Sequence, residues 1–271
     1  MKKLRKPITE WNKVASWWHI EAADRGVYHQ STDIDPVVKK LLGQVKRKKV
    51  IEIGCGNGYL SRMLARSGAK MAAVDASSKM IEIAQAEEKK NPLGITYLHR
   101  DAAHLRGIKS GSFDLAVSNM VFIDIVDINA AVKEIGRVLK PGGRLVFSIL
   151  HPVFMFDGAW RNMDGKNRYG RIVWRYLRPY TNINNWDGRR LTTKGYVRPL
   201  GFYMQALRAA GFAVTDFREI ATKKPLRKMP AGKENLLRAS RYSSPAEKRE
   251  KLRSRSEIPY FLVMEAKKIH R

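Results

Sequence analysis

The feature that most constrains this chain is a glycine-rich loop directly after a short apolar run. The segment reads VIEIGCGNGY from Val50 to Tyr59, with glycine at Gly54, Gly56 and Gly58. Glycine has no Cβ, so alternate glycines let the backbone turn sharply and approach a ligand closely. The loop therefore predicts a tight strand-to-helix turn that holds a bound molecule.

An acidic residue downstream narrows the choice of ligand. Asp75 ends the next apolar run, and its carboxylate can accept hydrogen bonds from both hydroxyls of a ribose. A glycine loop with an acid about 20 residues later is the nucleoside-binding arrangement of doubly wound α/β folds. The nicotinamide fingerprint needs G-x-G-x-x-G, and here the third glycine, Gly58, comes one position early. The pattern favours a different nucleoside ligand.

The rest of the chain supports a layered α/β fold. Apolar runs alternate with helix-period segments, which is typical of a parallel sheet with helices on both faces. The predicted strands cover residues 48–54, 70–77, 95–102, 112–120, 144–150, 212–220 and 259–268, and the predicted helices cover 59–68, 78–91, 128–139 and 199–212. Residues 151–198 are rich in aromatics and show no clear period.

Composition limits the class of protein without deciding its function. Lys and Arg number 52 against 25 Asp and Glu, a net charge of +27, which suits polyanionic or acidic partners or a solvated basic surface. The single cysteine, Cys55, excludes an intramolecular disulfide. No apolar run approaches the roughly 20 residues of a membrane helix, and the N-terminus lacks an apolar signal segment. We expect a cytoplasmic protein that is a monomer or a homodimer.

Five segments between residues 48 and 152 together form a specific series. They read VIEIGCGNGYLSRMLA, VDASSKMIEIA, YLHRDAAHL, SFDLAVSNMVFIDI and EIGRVLKPGGRLVFSILHP. In order and spacing the chain resembles the class I S-adenosylmethionine-dependent methyltransferases. The steps His151-Pro152 and Arg198-Pro199-Leu200 are similar to those of a subgroup that methylates small molecules.

The resemblance implies a Rossmann-like fold whose mostly parallel, seven-stranded sheet has an antiparallel last strand. It divides one methyltransferase domain, residues 1–271, into four parts. These are an N-terminal helical lid (1–45), a cofactor-binding core (46–150), a substrate-cap insertion (151–198) and a C-terminal helix-and-strand segment (199–271) with a basic insertion at 221–258.

The resemblance also implies S-adenosylmethionine as cofactor and places it at the carboxyl ends of the strands. Glu52 would pair with its ammonium group, Asp75 would bind the ribose, and Asp101 would accept from the adenine amino group. The other residues assigned to the cofactor are Tyr28, His29, Gly54, Cys55, Gly56, Gly58, Ala76, Met80, Ala102, Ser118 and Asn119. No metal site is expected.

Some of these assignments have structural alternatives. Strand-end aspartates such as Asp101 often only cap the following helix. With no histidine nearby in sequence, Cys55 is better interpreted as a small buried residue than as a nucleophile. Glu52 and Asp75 are stronger candidates, because acids inside apolar strands are rarely left without a partner.

The acceptor side is predicted from the lid segment 17–36 and the insertion 151–198. His151 is the candidate general base, since it follows the fifth strand and histidine titrates in the useful range. Its alternative role is that of a structural histidine at a strand end. The residues predicted to contact the acceptor are Trp18, Asp33, Phe154, Asp157, Trp160, Tyr196 and Arg198.

Three functions remain open from the sequence. The first is methyl transfer to oxygen, nitrogen or carbon of a metabolite or natural product. The second is RNA methylation on the basic surface. The fourth motif lacks the Pro-Pro step of enzymes that modify exocyclic base nitrogens, which counts against that class. The third is a non-catalytic cofactor-binding subunit, against which the intact glycine loop argues.

Overall fold

The structure is a computed structural model that describes residues 8–27, 29–156, 158–163, 169–221 and 258–269. Three predictions fall outside these residues, namely Tyr28, Asp157 and positions 222–257 of the basic insertion. Trp160 is described only by its backbone, in a strand.

A seven-stranded sheet forms the centre of the molecule. Its strands are β1 (Lys49–Ile53), β2 (Lys70–Asp75), β3 (Thr96–His99), β4 (Phe113–Asn119), β5 (Leu139–Leu150), β10 (Phe212–Ile220) and β11 (Phe261–Lys268). They lie in the order β10-β11-β5-β4-β1-β2-β3. β11 is antiparallel to both β10 and β5, and the remaining pairs are parallel. This confirms the predicted Rossmann-like sheet with one antiparallel strand.

Helices cover both faces of the sheet and bury two apolar clusters. They are α1 (Ile8–Ala22), α2 (Asp35–Leu42), α3 (Tyr59–Arg66), α4 (Ser78–Lys90), α5 (Ile128–Val138), α6 (Pro152–Met155) and α7 (Leu200–Ala209). Side chains alternate along a strand, so Val50 enters the cluster formed with α2, α3 and α4, while Ile51 enters the one formed with α5 and α7. Both faces of β1 are therefore buried.

The fifth strand begins earlier than predicted. β5 is continuous from Leu139, whereas the sequence indicated a start at Arg144. Phe113 pairs with Leu139 before the register shifts at Leu115, and Gly142 takes a positive φ of 70° within the strand. The Pro-Gly-Gly step therefore produces an irregularity in a pairing strand.

The aromatic insertion contains two hairpins that the sequence did not predict. They are β6 (Gly158–Asn162) with β7 (Tyr169–Val173), and β8 (Tyr180–Trp186) with β9 (Leu191–Val197). β8 buries Trp186 alone among its residues, so it carries no apolar alternation. Among the helices the structure describes, none combines the length and apolar character that crossing a bilayer requires.

Candidate functional site

The glycine loop, residues 54–58, is held against the end of β2. The carbonyl of Val74 accepts hydrogen bonds from the amides of Gly54 at 2.8 Å and Cys55 at 3.0 Å. Gly54 and Gly58 have φ values of 72° and 80°. A Cβ would lie 2.3 Å from Val121 on Gly54 and 2.5 Å from the Tyr97 hydroxyl on Gly58. Packing as well as backbone conformation requires glycine at both positions.

Gly56 differs from Gly54 and Gly58, because the position that its Cβ would occupy is open. The nearest heavy atom to a Cβ added at Gly56 is Trp18 Nε1, at 3.8 Å. Gly56 therefore forms the floor of a cradle, and Trp18 forms part of its roof. A molecule lying in this cradle would meet bare backbone, which fits a bound S-adenosylmethionine.

Asp75 joins the loop to the next helix. Its Oδ2 accepts from the Gly56 amide at 2.8 Å, and its Oδ1 accepts from the Ser77 amide at 2.8 Å. Burial raises the pKa of Asp75, although these two bonds oppose the shift. A carboxylate has about four acceptor positions, so capacity remains for a pair of ribose hydroxyls. Asp75, the residue predicted to bind the ribose, thus lies beside the cradle, and two backbone amides fix the orientation of its carboxylate.

Glu52 is a buried carboxyl beneath the loop. It is 2% exposed and accepts a short hydrogen bond from the Ser61 hydroxyl. Burial raises its pKa to about 8, and the nearby carboxylates of Asp75 and Asp35 add to the shift. Glu52 is therefore protonated at neutral pH in the free protein. A cation placed beside it would favour the ionised form.

A network of buried, hydrogen-bonded side chains connects the end of β4 to Asp35, the first residue of α2. Asp35 Oδ1 accepts from Asn119 Nδ2 at 2.8 Å and from the Tyr59 hydroxyl at 3.2 Å. Asn119 Oδ1 in turn accepts from the Ser148 hydroxyl at 2.5 Å, and the Ser118 hydroxyl donates to the Ile53 carbonyl at 3.1 Å. Burial raises the pKa of Asp35 to about 6. The side chains of Ser118 and Asn119 are thus fixed by the protein, while their predicted role rests on backbone carbonyls.

The residues predicted around the adenine have mixed surroundings. Asp101 Oδ1 accepts from the Ala103 amide at 2.9 Å, within a turn that does not lead into a helix. Ala102 and Met80 are buried, and the Ala76 carbonyl lies 2.9 Å from His99 Nε2. Burial also raises the pKa of the Cys55 thiol well above its usual range, so no reactive thiolate is present at neutral pH.

The N-terminal helix α1 lies over the glycine loop. Asn12 Oδ1 accepts from the Ser77 hydroxyl at 2.6 Å, and Asn57 Nδ2 donates to the Ala23 carbonyl at 2.8 Å. Tryptophan rings connect α1 to the β8–β9 hairpin, with centroid separations of 5.6 to 6.5 Å. They belong to Trp11, Trp17, Trp18 and Trp186. Helix and hairpin thus pack together through these rings, one of which, Trp18, is the group nearest to the open side of Gly56.

Two residues predicted to belong to the site, His29 and Asp33, contact each other. His29 Nδ1 lies 3.0 Å from Asp33 Oδ2, and the His29 ring packs on Phe261 at 5.6 Å. Both residues belong to the turn that precedes α2, where Gln30–Ile34 is a short π-helix. Asp33 is buried, so its charge faces His29 in this conformation.

His151 has the contacts of a structural histidine. It is 4% exposed, its Nδ1 accepts from the Val153 amide at 3.2 Å, and its Nε2 lies 2.9 Å from Glu219 Oε1. Burial lowers its pKa despite the opposing effect of Glu219. Nearby, the ring of Phe154 packs on Tyr260 with 3.7 Å between centroids. Nδ1 of His151 is engaged by a backbone amide, while Nε2 lies against the Glu219 carboxylate without the geometry of a hydrogen bond. The role of His151 as a base stays a prediction.

Arg198 fixes the β4 turn, residues 121–126. Its guanidinium is buried and donates to the carbonyls of Phe122 at 3.1 Å, Ile125 at 2.6 Å and Val126 at 2.9 Å. It also packs on the ring of Tyr196 at 4.9 Å, whose amide donates to the Ile123 carbonyl at 2.6 Å. Arg198 was predicted to contact the acceptor directly, and in the structure it holds the turn beside the cradle.

Asp124, in the centre of this turn, was missed by the sequence analysis. Its Oδ1 is buried without a hydrogen-bond partner among the residues that the structure describes. Burial and the Asp75 carboxylate raise its pKa well above the usual range, and Arg198 opposes the shift. The available signal was an acid inside the apolar run MVFIDIV, the same signal that identified Glu52 and Asp75.

Comparison with known proteins agrees with this geometry. A family model described as a methyltransferase domain matches residues 51–147. The ubiquinone biosynthesis O-methyltransferase of Nitrosococcus oceani is 30% identical over 139 residues, which are 50% of this chain and 57% of that protein. The chain thus spans little more than half the length of the curated relatives it matches.

Solved structures extend the likeness over most of the chain. An S-adenosylmethionine-dependent methyltransferase from Mesorhizobium loti has a TM-score of 0.65 and 26% identity, covering 86% of this chain and 96% of its own. The cyclase SpnF, at 18% identity and a TM-score of 0.63, covers 97% of this chain and 95% of its own and shows the same fold. The glycine loop, Asp75, the sheet order and these relatives agree. The family model over residues 51–147 and these relatives indicate a class I S-adenosylmethionine-dependent methyltransferase.

Proposed function

We propose that the protein transfers a methyl group from S-adenosylmethionine to a hydroxyl oxygen of a small-molecule metabolite or natural product. The observation that carries the proposal is the cradle above Gly56, roofed by Trp18, which packs on Trp186 of the β8–β9 hairpin. An aromatic lining of this kind suits a small planar acceptor better than a polymer. The relative from Nitrosococcus oceani, named for ubiquinone biosynthesis and O-methyl transfer, supports the choice of oxygen.

Three groups of this chain would hold the cofactor. The backbone at Gly56 accommodates its methionine portion, Asp75 binds the ribose, and Glu52 faces the ammonium group directly or through water. Bound there, S-adenosylmethionine supplies a methyl group already activated by the sulfonium. The protein then has to align the acceptor and exclude water, and α1 with the tryptophan rings is placed to do both. The buried Cys55 is compatible with the reducing cytoplasm.

RNA is the second candidate acceptor, and one observation favours it. A groove of about 420 Å³ is lined by basic residues together with Asp114. The basic residues are Lys46, Arg47, Lys48, Lys140 and Arg144. However, this groove lies where β1 begins, and the cradle lies where β1 ends. The five residues of β1 span about 17 Å, so a phosphate held in the groove would be far from the methyl donor.

The test is methyl transfer from labelled S-adenosylmethionine. The purified protein is incubated with the small-molecule fraction of a host extract and, separately, with host RNA freed of small molecules. We expect label in the small-molecule fraction, in a product whose methyl group resists acid hydrolysis as an ether does. Gly56→Val, which places a branched side chain in the cradle, is the negative control.

The alternatives give different results. Label in RNA that falls steeply with added salt would support the basic groove as substrate site. Label in neither fraction, with cofactor binding intact, would leave a cofactor-binding protein that does not methylate these molecules. That outcome matters, because SpnF shows that the fold is also found in a protein named as a cyclase.

A further inference from the structure

We propose that Asp124 is the catalytic base of this enzyme and takes the proton of the acceptor hydroxyl. The inference rests on the proposed function and adds to it the group that contacts the acceptor. It replaces His151, both of whose ring nitrogens contact protein atoms. Asp124 lies at the carboxyl end of β4, beside the strand that leads into the glycine loop.

The position of Asp124 ties it to the cofactor cradle. Val121, at the start of the same turn, fills the space that a side chain on Gly54 would need. The Asp75 carboxylate is near enough to affect the ionisation of Asp124. The Tyr196 amide bonds to Ile123, which brings the cap hairpin against the turn. Asp124 therefore lies where the glycine loop, the ribose-binding acid and the acceptor cap come together.

The surroundings of Asp124 do not explain it as a structural residue. Asp127, three positions later, accepts from the Ala130 amide at 2.9 Å and caps α5. Arg198, the nearby cation, donates to three backbone carbonyls. A buried carboxylate oxygen without a partner is costly, and such features are found at sites where a ligand completes the contact. A hydroxyl donor on the acceptor would complete it here.

The step balances without a further reactant. The acceptor O–H bond breaks and its proton passes to Oδ1 of Asp124. The acceptor oxygen forms a bond to the methyl carbon as the carbon–sulfur bond breaks, and sulfur keeps that electron pair as a neutral thioether. The groups that face Asp124 are Asp75, Arg198, Tyr196 and Tyr203. Of these, the Asp75 carboxylate favours the protonated form of Asp124 and makes the ionised carboxylate a stronger base, while Arg198 opposes this effect.

The experiment compares Asp124→Asn with Asp127→Asn in the full chain, using the small-molecule fraction that the wild type methylates. We expect Asp124→Asn to lower transfer at least about 100-fold and to leave the dissociation constant for S-adenosylhomocysteine within about twofold. Its rate should also lose the rise with pH that ionisation of Asp124 gives the wild type. Asp127→Asn should retain both the rate and the pH profile.

A second measurement does not depend on activity. Because Oδ1 of Asp124 has no hydrogen-bond partner among the described residues, Asp124→Asn should raise the thermal midpoint at neutral pH, by about 3 °C, whereas Asp127→Asn should leave it nearly unchanged, since asparagine caps a helix as well as aspartate does. Full activity of Asp124→Asn with an unchanged pH profile would overturn the inference, as would a clear loss of stability. A wild type that methylates neither fraction removes the proposed function, and the inference falls with it.

Discussion

The candidate site has a donor side around Asp75 and the glycine loop, and an acceptor side around Asp124 and the β4 turn. The acidic groups on the two sides differ in their hydrogen-bond partners. On the donor side, both oxygens of Asp75 accept backbone amides, from Gly56 and from Ser77. On the acceptor side, Oδ1 of Asp124 is buried without a partner among the described residues. Asp75 is thus oriented before the cofactor binds, whereas Oδ1 of Asp124 still lacks a contact among the described residues.

The difference matches what each side must recognise. Every enzyme of the family binds the same cofactor, so its contacts can be built from backbone atoms that a short motif fixes. The contacts that we propose for the acceptor come instead from side chains on the β4 turn, α1 and the cap hairpins. Preorganised contacts reduce the entropic cost of binding, while an incomplete contact gives selectivity for a ligand that completes it.

The largest expected effect comes from Gly54→Ala, which tests whether packing fixes the donor side. The new Cβ would meet Val121 at 2.3 Å, in a backbone with φ of 72°. We expect a loss of about 4 kcal/mol in the free energy of unfolding, from overpacking and left-handed strain. Urea denaturation followed by circular dichroism measures it.

Gly56→Ala is the matched control for this prediction. Its backbone also has positive φ, but the nearest atom is Trp18 Nε1 at 3.8 Å. The expected stability loss is about 1 kcal/mol, with a larger loss in cofactor affinity because the methyl group enters the cradle. Equal destabilisation by both substitutions would show that the packing of Val121 does not distinguish the two glycines.

The next effect tests the acceptor side through Arg198→Lys. Lysine keeps the charge, but its single ammonium group cannot replace the planar guanidinium that donates to the carbonyls of Phe122, Ile125 and Val126. We expect about 2 kcal/mol of lost stability and a greater loss of methyl transfer than of cofactor affinity, since the turn that holds Asp124 loosens. Arg190→Lys, at an exposed arginine of the same hairpin, should change neither. Parallel losses of transfer and cofactor binding would assign Arg198 to the donor side.

The contrast between the two sides also explains which parts could be predicted from the sequence. The spacing of Gly54, Gly56 and Gly58 before Asp75 is local, and it encodes a backbone geometry that few other patterns need. The sheet followed because buried parallel strands are continuous apolar runs. These features depend on neighbours in the sequence, so the sequence alone was sufficient for them.

The acceptor side depends on contacts between distant segments. β8 buries only Trp186, and the buried positions of β9 are Thr193, Gly195 and Val197, so no apolar period marked either strand. His151 lies at the predicted strand end, but Glu219 approaches from β10, 68 positions later in the chain (219 − 151). Asp124 became notable only once the structure showed Oδ1 without a hydrogen-bond partner among the residues it describes. Whether a buried polar side chain has a hydrogen-bond partner depends on tertiary contacts, so no local sequence motif reveals it.

The smallest expected effect concerns Glu52 on the donor side, whose buried carboxyl has no positively charged partner among the described residues. Its pKa in the free protein is about 8, raised from 4.5 mainly by burial. Its protonated form therefore contributes stability that is fully present below about pH 4.5 and is lost as pH rises through 8. An ammonium group beside Glu52 would favour the carboxylate, so cofactor binding should release a proton at pH 7.

This release makes cofactor affinity depend on pH, by at most tenfold, or about 1.4 kcal/mol, per pH unit below 8, with no further gain above it. Calorimetry at pH 7 in two buffers of different ionisation enthalpy measures the proton directly. Glu52→Gln should bind without the release and with a flat pH dependence. Equal binding enthalpies in both buffers for the wild type would mean that Glu52 stays protonated in the complex. The donor side would then be neutral where the cofactor carries its ammonium group, and the cation would have to be held by backbone carbonyls such as those predicted at Ser118 and Asn119.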